Sequence, residues 1–181
     1  MQTKPDTRAL LSRLVSAAVC LALCMVLPFL TGQIPQVGSM LCPMHIPVLL
    51  AGFLCGPWWG LAVGAVAPAL RYLLFGMPPL LPVGLGMTFE LLAYGLIAGL
   101  LYRKLPKKNA FIYVSLIGAM IAGRIVWGVA SMVIYGAMGN VFTWPIFVAG
   151  AVGNALPGIV LHIIVVPVLV MALKKAKILA R

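Results

Sequence analysis

The chain has 181 residues, of which 64% are apolar and only 8% charged. Soluble domains carry about a quarter charged residues, so an ordinary cytosolic protein is excluded. Thirteen Lys and Arg face two acids, Asp6 and Glu90. A nucleic-acid binder would place such a surplus on a polar, solvated surface. Here the basic residues stand in small clumps between long apolar runs, the pattern of an integral membrane protein with no nucleic-acid partner.

A membrane-spanning helix needs ~20 apolar residues. The apolar runs fall at about 11–30, 38–55, 58–75, 84–102, 110–135 and 145–173. The first follows Lys4, Arg8 and Arg13 and could pass for a secretory leader. It runs on to Leu30 with no small-x-small cleavage site behind it, so it reads as the first transmembrane helix. From Met44 to Phe75 the chain is almost continuously apolar. One helix of that length would reach ~48 Å, far beyond the ~30 Å hydrocarbon core. Gly56-Pro57 supplies a turn that splits the run in two.

The expected fold is therefore all-α, a single membrane domain over 1–181 with six transmembrane helices. The distribution of Lys and Arg supports that number. The clusters at the N-terminus, at Arg103, Lys104, Lys107 and Lys108, and at Lys174, Lys175, Lys177 and Arg181 then share the cytoplasmic side. The connections 31–37, 76–83 and 136–144 carry no Lys or Arg and face outside. Five helices would put the 103–108 cluster outside. Both termini are expected in the cytoplasm, and the chain is placed as a multi-pass protein of a prokaryotic cytoplasmic membrane.

Small-x-x-x-small spacings that let helices approach closely occur at Ala18 and Ala22, Gly60 and Gly64, and Gly95 and Gly99. The two glycine pairs read as packing within the bundle. Four cysteines make no C-x-x-C and read as small apolar packing residues. No metal or cofactor is expected. The chain has no phosphate-binding loop, no H-E-x-x-H and no G-x-S-x-G, so an enzyme is not expected either.

Charges inside spans are expensive and mark function by default. Arg71, Glu90 and Arg124 are such charges, on the third, fourth and fifth runs. Counting ~1.5 Å per residue from the outer helix ends places Arg71 ~6 Å deep, Glu90 ~9 Å, Arg124 ~16 Å, and Asn154 on the last run ~14 Å. Tyr94 shares a helix face with Glu90, and Trp127 shares one with Arg124. Together they outline a pocket open to the outside. One acid cannot neutralise two arginines, and the surplus charge suits a monoanion such as a carboxylate. Similar depth pairs Arg71 with Glu90, leaving Arg124 to grip the ligand. His45, at the outer end of the second run, is a candidate ligand contact beside its plainer reading as an interfacial histidine. His162 is expected at a different depth.

Several segments carry a resemblance. They are Leu41 to Pro57 (LCPMHIPVLLAGFLCGP), Gly76-Met-Pro-Pro79, Glu90 to Gly95 (ELLAYG) and Gly153 to Gly158 (GNALPG). With the six-helix layout and Ala18-x-x-x-Ala22, the chain resembles the substrate-binding subunits (S components) of energy-coupling factor vitamin transporters. The Pro-Met-His-Ile-Pro segment is most similar to the pantothenate-type branch. The resemblance implies a subunit that captures a vitamin from outside. It also implies assembly with a membrane coupling subunit and two cytoplasmic ATPases, docking through Ala18 and Ala22. Three readings stay open: the S component that the resemblance implies, for this or another vitamin, a stand-alone carrier or channel, and a haem-bearing membrane anchor.

Overall fold

A computed structural model describes residues 7–31 and 34–176. Lys4, Asp6, Lys177 and Arg181, part of the charge argument above, lie outside the described residues. Among those described, the chain is helical, with no strand. Helix α1 spans Thr7–Val26 and tightens into a 3-10 turn over Leu27–Thr31, where Pro28 cannot continue an α-helical ladder. After α1 come α2 (Pro35–Leu41), α3 (His45–Cys55), α4 (Pro57–Phe75) and α5 (Leu85–Lys104). Beyond these lie α6 (Asn109–Ala137), α7 (Trp144–Val148) and α8 (Leu156–Lys175). A kinked stretch, Leu80–Gly84, in which Leu81 is extended, leads into α5, and a π-helical stretch, Ala149–Gly153, follows α7.

The turn at Gly56-Pro57 falls as expected. Gly56 has φ 100°, a conformation that favours glycine, and Pro57 opens α4. Helix α4 closes on Gly76 in the left-handed region, followed by prolines that cannot extend it.

Two expected helices are interrupted. The run 38–55 is not one helix: α2 stops at Cys42, which adopts φ 47°, and α3 begins afresh at His45. Cys42 precedes Pro43, whose ring disfavours helical backbone in the residue before it. The run 145–173 is likewise broken by a turn at Asn154 and Ala155. Among the described residues, five stretches are long and apolar enough to cross a membrane: Thr7–Thr31, Pro57–Phe75, Leu80–Lys104, Asn109–Ala137 and Trp144–Lys175. The sixth, α3, has only 11 residues.

Helix α5 is the centre of the packing, contacting α3, α4 and α6. It can be approached closely because Gly95 meets Gly60. A Cβ added at Gly95 would lie 2.1 Å from the Gly60 carbonyl oxygen, and one at Gly64 would lie 2.4 Å from that of Leu91. The glycine pairs thus do what their spacing predicts. Ala18 and Ala22 do the opposite: both are exposed on the outer face of α1.

Candidate ligand-binding site

The break between α2 and α3 creates the site. A broken helix inside a membrane leaves backbone groups that protein must satisfy. The Cys42 carbonyl lies 3.2 Å from His162 Nε2 on α8, and the Met44 carbonyl accepts from Cys24 Sγ on α1 at 3.7 Å. Restarting the helix at His45 turns that imidazole into the interior, where it is 1% exposed. It meets Tyr94 edge-on at 5.2 Å and stacks with His162 at 5.8 Å between ring centroids. The two histidines therefore share one level, contrary to the expectation of different depths. That expectation assumed an unbroken second helix, with His45 at its outer end.

Glu90, 3% exposed, holds the cluster together. Its Oε1 lies 3.0 Å from Arg124 Nη1 and 3.5 Å from His45 Nε2. Tyr94 stands one turn along α5 from Glu90 and is buried beside His45. Gly123 lets α6 lie against the Tyr94 ring, because a Cβ there would come within 2.0 Å of it. The expected pairing of Arg71 with Glu90 is thus corrected: Arg124 is the partner. Rotation about the helix axes decides this, and depth alone cannot.

Arg71 lies elsewhere. It is 3% exposed, and its Nη1 donates to the Met25 carbonyl at the end of α1 at 2.6 Å. Its guanidinium sits 5.4 Å from the Phe29 ring centroid and 5.1 Å from that of Phe75. The cation neutralises helix-terminal carbonyl charge and rests on two π faces. It has no need of a carboxylate.

The cluster around Glu90 is less complete. His45 Nδ1 and Nε2, Glu90 Oε1 and Arg124 Nε are buried with no hydrogen-bond partner among the described residues. The Arg124 contact is close enough for an ion pair, but its angle does not give Oε1 a hydrogen bond. Buried polar groups are almost always satisfied, and the concentration of these atoms in one place marks the cluster as the candidate site.

Arg124 also borders a cleft of about 320 Å³ between α6 and the α7–α8 segment. Its other walls include Ile117, Met120, Ile121, Phe147, Ile159 and Ile163, and Arg124 is the one polar residue lining it. That size lies within the range of small-ligand pockets, which combine apolar walls with a few polar anchors. Trp127, one turn beyond Arg124, packs over Gly86 and Gly150 and faces Phe142 and Phe147. Asn154 is exposed in the turn before α8.

Of the candidates, His45, Glu90, Tyr94 and Arg124 converge, Trp127 flanks them, and Arg71 and Asn154 stand apart. His162 and Cys42 complete the cluster. The Cys42-Pro43 dipeptide, a helix stop within the second apolar run, was the available signal for both.

These features describe a membrane-embedded helical protein with an apolar cleft bordered by one arginine. The family model for the ECF transporter substrate-specific component matches residues 12–172, and the chain belongs to that family. It is a substrate-specific membrane subunit of a transport system, of the kind that works with a coupling subunit and ATPases. No individual curated protein and no solved structure matches it.

Proposed function

We propose that this subunit binds a small carboxylate vitamin, pantothenate first among them, with high affinity for import across the cytoplasmic membrane. Arg124 carries the reading. Glu90 engages Nη1 and leaves Nε buried and unpartnered, on a residue that also borders the cleft. An arginine's Nε and Nη2 form one edge of its planar fork, suited to a carboxylate. His45, Tyr94 and Trp127 supply polar and aromatic contacts for the rest of the molecule, and Asn154 is a peripheral contact, whereas Arg71, its partners already complete, is left out of the set. Titration calorimetry of purified protein against a vitamin panel tests this directly. Pantothenate should bind far more tightly than its alcohol analogue. Equal affinity for the two would reject the carboxylate grip.

The same proposal includes six crossings with both termini cytoplasmic. Helices α2 and α3 have 7 and 11 residues, and end to end they would reach about 27 Å, one crossing in two pieces. The basic ends of α1, α5, α6 and α8 then lie on one side, as the charge rule requires. Docking on the coupling subunit is assigned to the exposed Ala18 and Ala22, which a flat helix-to-helix approach would need bare. Ala22→Trp should keep vitamin affinity within about twofold and reduce uptake in the assembled transporter at least tenfold. Lost affinity with intact assembly would move the docking face elsewhere.

A further inference from the structure

Away from the cleft, the opposite end of the bundle gathers six cations with no acid among them: Arg103, Lys104, Lys107, Lys108, Lys174 and Lys175. They are not splayed apart. Lys174 Nζ donates to the Lys107 carbonyl at 2.6 Å and to Asn109 Oδ1 at 3.3 Å, tying the end of α8 to the start of α6. Lys107 Nζ lies 3.8 Å over the Tyr102 ring centroid and donates to the Tyr102 carbonyl. The Lys107 ammonium is held below its usual pKa by burial and by the neighbouring Arg103 and Lys174 charges. Glu90 is the only acid among the described residues, and it is occupied by Arg124 a helix length away. Cations crowded together without a counter-ion favour an anion from outside the chain.

The surroundings say which kind. Within two or three turns of these lysines, α6 exposes Val114 and Ile117 and α8 exposes Ile164 and Val168, each more than 40% accessible. Long apolar faces meet the charges at the level where a helix leaves the hydrocarbon. We infer that the Lys107–Lys174 junction is a binding site for an anionic phospholipid. Its phosphate would sit among Lys107, Lys108, Lys174 and Lys175, with its acyl chains along the exposed flanks of α6 and α8. Polybasic segments beside a membrane helix attract acidic headgroups in this way. The site does not depend on which vitamin the cleft takes.

Native mass spectrometry of the purified full chain in detergent, with defined lipids added, tests it. Phosphatidylglycerol should be retained at least tenfold more than phosphatidylcholine of the same chain length. Replacing the lysines at 107, 108, 174 and 175 together by Gln should bring that preference down to near unity, since the headgroup attraction rests on their charge. Lys107→Arg with Lys174→Arg should preserve it, which separates loss of charge from loss of fold. Water-soluble glycerol phosphate should not compete at equal concentration, because it lacks the chains. Equal retention of the two lipids would overturn the inference, as would an unchanged preference in the glutamine variant. Displacement of the lipid by glycerol phosphate or by an acidic peptide would overturn it too, showing a phosphate or protein site instead.

Discussion

The two arginines inside the bundle begin with the same difficulty, a guanidinium far from bulk water, and resolve it in opposite ways. Arg71 is given a carbonyl at 2.6 Å and two aromatic rings. Arg124 is given a carboxylate, Glu90, that is itself shared with His45 and short of hydrogen bonds. The first arrangement is closed: it joins the end of α1 to α4 and asks for nothing more. The second is open, with unpartnered atoms, one of them on a residue that borders a cleft. Charge alone does not separate a structural arginine from a binding one. Completeness of its partners does.

The largest effect should come from the open side. Removing one member of a buried charged contact costs roughly 2–5 kcal/mol, about 30- to several-thousand-fold in affinity. Arg124→Met should weaken binding of a carboxylate vitamin by that order, and weaken its neutral analogue far less. Unchanged affinity in a folded Arg124→Met protein would break the contrast between the two arginines. Glu90→Gln sharpens it. Without the carboxylate the guanidinium loses its anchor, and affinity should fall about tenfold, a loss of ~1.4 kcal/mol. The double variant Arg124→Met with Glu90→Gln should unfold less readily than Arg124→Met alone, because it leaves no carboxylate stranded in the interior. Thermal unfolding in detergent reads that difference.

Most of the helices were legible in the sequence because apolar length and basic flanks are properties of composition. The Gly56-Pro57 turn and the packing role of the two glycine pairs were legible because glycine has few competing uses there, but that Gly60 meets Gly95 was not. The site was legible only as an inventory. Glu90, Tyr94, Arg124 and His45 could be picked out as unusual, but their meeting depended on α2 stopping at Cys42. That stop turned His45 inward and put it beside His162. Depth counted along separate helices paired the wrong arginine with Glu90, since it fixes one coordinate and leaves the azimuth of each helix free. Arg71 shows the same limit from the other side. Its partners are a backbone carbonyl and two rings, and a backbone carbonyl leaves no mark in a sequence.

On the closed side the effects should be smaller and should appear in stability. Arg71→Met strands the Met25 carbonyl and removes both ring contacts. A hydrogen bond involving a charged group contributes about 1.5–3 kcal/mol, so a loss of about 2 kcal/mol in unfolding free energy is expected. Vitamin affinity should stay within about threefold. A hundredfold loss of affinity would mean that Arg71 reaches the ligand after all.

The smallest effect isolates the rings. Phe75 is 38% exposed and Phe29 45%, so each is only partly desolvated around the Arg71 guanidinium. The two rings also meet each other edge-on at 5.1 Å, so replacing one removes an aromatic pair as well as a cation contact. Partly exposed cation–π contacts contribute about 0.5–1 kcal/mol, and an aromatic pair a similar amount. Leucine returns part of that through its own apolar contact, so Phe75→Leu should cost about 1 kcal/mol in unfolding free energy. In an Arg71→Met background the cation term is already gone, and the same substitution should cost about half as much. Equal costs in both backgrounds would show that the rings pack only on each other. The closed arginine would then be held by the Met25 carbonyl alone, much nearer in character to the open one than its surroundings suggest.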